Sequence, residues 1–176
     1  MVGLKEIYSK YYATFKNAYS FFEMYANADN IDPREYDIKV EDRELIDKWL
    51  LSKLNKLVCD VINAYEEYDL NKVVKLIVPF LNDDLSNWYI RSNRRRFWDS
   101  KLTKSKKSVY QTTYEVLVTL AKLTAPITPY ISDEIYTKLT GEESVHLADF
   151  PKFNENLVNE EVEEKMDLVR DICSLG

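Results

Sequence analysis

The sequence has 176 residues, 45% of them hydrophobic, which is enough for one globular domain and excludes an intrinsically disordered chain. Its formal net charge is −6, so the chain as a whole is not basic, although a local basic surface remains compatible with that charge. No run of 18 apolar residues and no signal-peptide pattern occurs, so we expect a cytoplasmic protein without a membrane segment.

Neither the cysteines nor the single histidine form a pattern typical of a catalytic or metal site. Cys59 and Cys173 lie far apart and have no ligand spacing around them, so we interpret them as reduced thiols, with a disulfide as the alternative. His146 has no nucleophile or carboxylate partner that the sequence can place beside it. We therefore expect no catalytic residue and no metal ligand in this chain.

Apolar side chains recur at helical spacing along most of the chain, and no alternating strand pattern is present. The first predicted helix covers 4–27 and the second about 42–67. A third helix begins at a cap at Asp69, continues to about residue 97 with a kink at Pro79, and is followed by a basic connector over 99–106. The fourth helix covers about 106–124, and the fifth covers about 129–140, with a cap at Thr128 and an end at Gly141.

These elements predict an all-α fold, a helical bundle with short connections. We expect one domain over 1–176, with a core bundle over about 4–141, an irregular tail over 142–160 and the start of a further helix over 161–176. Because the sequence stops inside a helical pattern, we also expect it to be a fragment of a larger protein.

The segment 85–98 carries the most chemical information. On an α-helix, at about 100° per residue, it separates into two faces. The side chains predicted to face the core are Leu81, Leu85, Trp88, Tyr89 and Ser92. Those predicted to face away are Asn87, Arg91 and Arg94, with Arg95 at the boundary. Arg96 points toward the core side, where it either pairs or marks the end of the helix.

Eight basic side chains and only one acidic side chain, Asp99, lie between residues 85 and 107, whereas acidic residues concentrate over 155–167. Such asymmetry is what a site for a polyanion requires. Arginine grips phosphate in two places, and exposed aromatic rings stack on unpaired bases. The pattern therefore favours a structured RNA loop over duplex DNA. The alternative is a solvated helix end whose charges only complement the helix dipole.

Five motifs, in order and at matching spacing, resemble the anticodon-binding domain of isoleucyl-tRNA synthetases, which belong to the Ile/Val/Leu/Met subgroup of class I aminoacyl-tRNA synthetases. The motifs are NAYSFF (17–22) with YAN (25–27), DKWLLSKLN (47–55), LSNWYIRSNRRRFW (85–98), LTAPITPYISDEIY (123–136), and SVHL (144–147) with Pro151. The resemblance covers about residues 4–173. It implies a helical bundle of the class I anticodon-binding type, followed by a strand-like tail at the last motif.

The resemblance implies a parent enzyme that attaches isoleucine to tRNA with ATP and magnesium. This chain would bind the anticodon stem-loop of tRNA(Ile), next to the catalytic domain of the same parent chain. The family's catalytic signatures, a HIGH-type tetrapeptide and a KMSKS-type loop, are absent, and we interpret the basic run at 101–106 as a solvated linker. We therefore expect no cofactor in this chain itself.

The candidate residues for tRNA contact come from two sources, the helix faces and the resemblance. The face analysis selects Asn87, Arg91, Arg94 and Arg95, with Trp98 as a possible stacking partner. Lys16 and Asn17 are added because the related methionyl family reads its anticodon from the first helix. Three alternatives stay open: the same domain from a valyl- or leucyl-tRNA synthetase, a helical scaffold that binds a partner protein, and an independent enzyme. The tryptophan–tyrosine pair with the triple arginine favours the isoleucyl family among the synthetases.

Overall fold

The computed structural model describes residues 8–175 as helices joined by short turns, and no β-strand occurs in that range. The helices in chain order are α1 (Thr14–Asp29), which follows a π-helical turn (Tyr8–Ala13), α2 (Leu45–Glu66), α3 (Leu70–Pro79), a π-helical segment (Phe80–Ile90), α4 (Arg91–Trp98), α5 (Lys104–Thr124), α6 (Pro129–Thr140) and α7 (Glu160–Leu175). The all-α fold is confirmed. The predicted start of the first helix, at residue 4, lies outside the described residues.

Two of the three predicted helix ends are confirmed. The Asp69 carboxylate accepts a hydrogen bond from the backbone N–H of Lys72 at 2.9 Å and so caps α3. Gly141, at φ +75°, ends α6 in the left-handed conformation that favours glycine. The predicted cap at Thr128 is wrong, because its hydroxyl donates backwards to the Thr124 carbonyl and makes no capping hydrogen bond to α6.

The helices α3 and α4 and the π-helical segment between them follow one another without a turn, from Leu70 to Trp98. We call this stretch the rod. The sequence predicts a kinked α-helix here, and the structure instead changes its helical type after Pro79. Proline has no backbone N–H to continue the α-helical hydrogen bonds, and a wider helix with i→i+5 bonding follows it.

The side chain of Asn82 ties the π-helical segment to the start of the chain. Its amide N–H groups donate to the carbonyl oxygens of Val78, at 2.9 Å, and Lys10, at 2.5 Å. Its carbonyl oxygen accepts from the Thr14 hydroxyl at 2.8 Å. One side chain therefore joins α3, the π-helical segment and the beginning of α1.

The core surrounds α2 and extends to an aromatic group at the end of the rod. Trp49 of α2 and Tyr89 of the π-helical segment are fully buried. Phe97 of α4 packs edge-on against Phe21 of α1 and Tyr110 of α5, with both ring-centroid distances at 5.1 Å. These contacts hold α4 against α1 and α5, with one side of α4 in the core.

The last motif of the resemblance does not form a strand. Ser144 begins a 3₁₀ turn, Val145–Leu147, and both the Ser144 hydroxyl and the Val145 N–H donate to the Asp133 carboxylate, at 2.7 and 2.8 Å. Short 3₁₀ turns also occur at Pro33–Glu35, Val40–Asp42 and Glu155–Leu157. A carboxylate that collects local N–H and O–H groups stabilises a tight turn, so the expected strand-like tail is wrong.

The helix α7 packs against the bundle, although it lies after residue 141, where the predicted core bundle ends. The Arg170 guanidinium donates to the Asp84 carboxylate at 2.6 Å. It also lies 5.5 Å from the ring centroids of both Trp49 and Trp88. The Trp88 indole N–H contacts the Met166 sulfur at 3.3 Å. The helix is therefore anchored on α2 and on the rod together.

Candidate nucleic-acid interface

One face of α4 carries four exposed side chains in a row. Arg91, Arg94, Arg95 and Trp98 are spaced i, i+3, i+4 and i+7, which places them on a single side of an α-helix. We call these four residues the arginine stripe. Asn87, also exposed, lies four residues before the stripe in the π-helical segment. The structure thus brings five of the seven candidate residues to one surface.

The three arginines of the stripe are unpaired within residues 8–175. Arg91, Arg94 and Arg95 are exposed, and none makes a hydrogen bond, an ion pair or a cation–π contact to another described residue. Each guanidinium carries a positive charge and five N–H donors. Three fixed positive charges with free donors on one helix face can bind a phosphate backbone.

Trp98 is held at the end of the stripe with much of its ring in solvent. Its indole N–H donates to the Tyr25 hydroxyl of α1 at 2.6 Å, and 57% of the residue surface is exposed. The neighbouring Phe97 is buried against α1 and α5. An aromatic ring fixed at one edge and open on its surface can stack on an unpaired base.

Arg96, between the exposed Arg95 and the buried Phe97, points into the bundle. Its two terminal nitrogens donate to the two carboxylate oxygens of Asp47 in α2 at 2.7 and 2.8 Å. The remaining N–H groups donate to the Asn93 side-chain oxygen at 3.1 Å, the Ser105 carbonyl at 2.7 Å and the Ser105 hydroxyl at 2.9 Å. The sequence left two options for Arg96, and the structure shows that it pairs.

Asp47 is the acidic partner that the sequence reasoning missed. It is fully buried and also accepts a hydrogen bond from the Tyr89 hydroxyl at 2.6 Å. Burial and then the negative charge of Asp47 raise the pKa of Tyr89 well above its ordinary value, so the phenol keeps its proton and remains a donor. The available signal was the position of this carboxylate three and four residues before Leu50 and Leu51, which places it on an apolar helix face where it requires a buried partner.

The predicted faces of the rod are partly wrong after residue 85. The residues that face the core recur at every fourth position: Leu81, Leu85, Tyr89, Asn93 and Phe97. Ser92, predicted in the core, is exposed, while Trp88 is only half-buried. The wider π-helical turn explains the shift, because each residue turns less than the 100° of an α-helix.

The basic cluster between residues 91 and 107 presents fewer free charges than the sequence suggests. Besides Arg96, Lys106 is buried, with its amine 2.7 Å from the Asp29 carboxylate. Lys104 lies 3.8 Å from Asp42, and Lys107 lies over the ring of Tyr36. Among the described residues, Lys101 alone joins the three arginines of the stripe without such a partner.

Lys16 and Asn17, the two weaker candidates on α1, lie on different sides of that helix. Thr14 contacts the rod, and at 100° per residue Lys16 lies about 160° from it while Asn17 lies about 60° from it. Lys16 instead faces Glu134 of α6, where its charge assists Lys138 in lowering the pKa of that carboxyl. The structure therefore does not bring Lys16 to the arginine stripe, whereas Asn17 lies nearer the rod.

Within residues 8–175, no group of three or more His, Cys, Asp or Glu side chains could hold a metal ion. Cys59 and Cys173 are free thiols, and His146 is exposed on a 3₁₀ turn. No helix in this range has the length and apolar character needed to cross a bilayer. The arginine stripe is thus the candidate interface.

Comparison with known proteins gives a family and a set of relatives. Residues 47–176 match the family model described as the anticodon-binding domain of tRNA ligase. The isoleucine–tRNA ligases of Bacteroides thetaiotaomicron and Cytophaga hutchinsonii are each 45% identical to this chain over 98% of its length. That of Clostridium tetani is 40% identical over 98%. The chain spans only 15%, 16% and 17% of the lengths of these three curated relatives, respectively.

Proposed function

Because the chain belongs to the anticodon-binding domain family of tRNA ligases, we propose that it binds the anticodon stem and loop of tRNA(Ile). The observation that carries this proposal is the arginine stripe. Three guanidinium groups without a partner among residues 8–175 and an exposed indole share one face of a helix whose other side is packed in the core. Guanidinium groups suit the phosphates of the stem, and the indole suits an unpaired base of the loop.

The choice of isoleucine rests on the relatives. The three relatives described above, at 40–45% identity over nearly the whole chain, are isoleucine–tRNA ligases, which favours this amino acid over valine or leucine. In this account the whole protein aminoacylates tRNA(Ile) in the cytoplasm with ATP and magnesium. Its catalytic domain belongs to the part of the relatives' length that this chain does not span, and that domain is a partner of the bundle.

The direct experiment is a binding titration of the chain with transcripts of tRNA(Ile) and of tRNAs with other anticodons. Measurement at two salt concentrations separates a general electrostatic attraction from recognition of the loop, since the former is equal for all transcripts and falls steeply with salt. We expect a preference for tRNA(Ile). Equal affinity for unrelated RNA hairpins, or no binding at about 100 μM, the weak end of non-specific binding, would contradict the proposal.

Single substitutions in the stripe should weaken this binding. Arg91→Ala or Arg94→Ala removes one charged contact and should reduce the affinity for tRNA(Ile) by about 1–3 kcal/mol, measured by the same titration. The matched control is Lys75→Ala, which removes an exposed positive charge from the same rod. Lys75 lies 16 residues before Arg91, about 24 Å along an α-helix and well beyond the screening length. An equal loss of affinity in Lys75→Ala would mean that binding depends only on the net charge of the chain and not on the arginine stripe.

A further inference from the structure

We propose that the ion pair between Arg96 and Asp47 is an internal clamp that positions the arginine stripe for tRNA, so that Arg96 is a positioning residue. This inference rests on the proposed function. In the triple arginine at 94–96, the exposed side chains of Arg94 and Arg95 then contact RNA. The inward side chain of Arg96 fixes the position of the helix that carries them.

The first observation is that Arg96 has no donor left for a ligand. All five N–H groups of its guanidinium are used inside the bundle, two of them in a bidentate contact with Asp47. The side chain of Arg96 is 12% exposed and that of Asp47 is 0% exposed. Arg96 therefore affects RNA only through the position of its own helix.

The second observation is that the clamp joins three elements at one point. Arg96 belongs to α4, Asp47 to the first turn of α2, and Ser105 to the first turn of α5. The Ser105 hydroxyl also donates to the Glu44 carboxylate, directly before α2. A planar guanidinium held along both edges fixes both the distance and the rotation of the helix that carries it.

The third observation is the geometry of α4 itself. It has only eight residues and follows the π-helical segment, whose wider turn gives α4 a different rotation from the one that a continuous α-helix would give it. The edge-on contacts of Phe97 hold α4 against α1 and α5, and the bidentate ion pair adds a fixed orientation toward α2. A buried ion pair often contributes little net stability, and its best-attested role is to select one arrangement among several.

The test measures how the affinity for tRNA(Ile) depends on salt in the Arg96→Lys variant. The magnitude of the slope of log affinity against log salt counts phosphate contacts, at about 0.7 for each contact to a single strand and about 0.9 for each contact to a duplex. Lysine keeps the positive charge but has no planar guanidinium, so it cannot make the bidentate contact with Asp47. If the clamp directs the stripe, we expect the magnitude of the slope to decrease more in Arg96→Lys than in Arg91→Ala. We also expect the affinity to decrease about tenfold or more.

Two further variants keep this test decisive. Ile135→Val, in the core of α6, lowers stability without touching the clamp and should leave the slope unchanged. Tyr89→Phe removes one hydrogen bond to Asp47, keeps the ion pair, and should lower the slope by a smaller amount in the same direction. This milder variant serves if Arg96→Lys does not fold.

The two proposals fail in different ways. If the unsubstituted chain does not bind tRNA, the proposed function is overturned and the clamp loses its role with it. If the chain binds and Arg91→Ala lowers the slope, but Arg96→Lys and Tyr89→Phe keep the unsubstituted slope, then only the clamp is overturned. In that case Arg96 contributes to folding alone.

Discussion

Asp29 ends α1 and holds two side chains of α5, the amine of Lys106 at 2.7 Å and the hydroxyl of Tyr110 at 2.6 Å. Burial alone would raise the pKa of Asp29, but the hydrogen bonds from Lys106 and Tyr110 outweigh it and lower the pKa below its ordinary value. A carboxyl whose pKa is lower in the folded state contributes stability above its unfolded pKa of about 3.9. That stability is lost as the pH falls through the folded pKa.

We expect Asp29→Asn to reduce the free energy of unfolding at pH 7 by about 2–3 kcal/mol, because it leaves the buried Lys106 amine without its carboxylate. Urea denaturation at several pH values measures the effect. The difference from the unsubstituted chain should shrink below the folded pKa of Asp29, where that carboxyl is itself neutral. Asp149→Asn, an exposed control with the same charge change, should stay within about 0.5 kcal/mol. A difference that is constant with pH would refute this assignment.

At the scale of the elements, hydrophobic periodicity predicted the helices well because each one buries apolar side chains at helical spacing. The predicted helix over 129–140 has the same bounds as α6, and the predicted helix start near residue 161 lies within one residue of the start of α7. Periodicity failed over Phe80–Ile90, because an analysis at 100° per residue assumes the α-helical turn that this segment lacks. That assumption displaced Ser92 into the predicted core.

The π-helical segment itself yields a prediction. Asn82→Ala removes the hydrogen bonds that join this segment to Val78 and Thr14, and we expect a loss of about 1–3 kcal/mol in the free energy of unfolding by urea denaturation. Asn87→Ala lies in the same segment but is exposed, so it should change stability by about 0.5 kcal/mol or less. Equal effects of the two variants would mean that Asn82 does not support the segment.

At the scale of the whole molecule, the sequence could indicate which arginines face outward but not what holds them there. Arg91 and Arg94 follow from spacing along one helix. The pairing of Arg96 with Asp47, by contrast, joins residues 49 positions apart in different helices. The contact of Trp98 with Tyr25 spans 73 positions. Such partners depend on how the helices pack, which a single sequence does not state.

The docking of α7 is also a property of the whole molecule, and it is testable. Arg170→Ala removes the ion pair with Asp84 and the contact with Trp49 and Trp88. We expect amide hydrogen exchange in α7 to become about tenfold to a hundredfold faster, with α5 and α6 unchanged. Lys165→Ala loses only an exposed pair with Glu161 and should change exchange by about twofold. Uniform acceleration in all helices would indicate global destabilisation instead.

The π-helical segment makes the rod sensitive to residue number as well as residue type. Phe80–Ile90 contains 11 residues that bridge two α-helices, and each added or removed residue there advances or reverses α4 by roughly a quarter of a turn. A one-residue deletion would carry Arg91 and Arg94 away from solvent without altering any side chain of the interface. Homologues that use this surface should therefore tolerate substitution in the segment more readily than insertion or deletion.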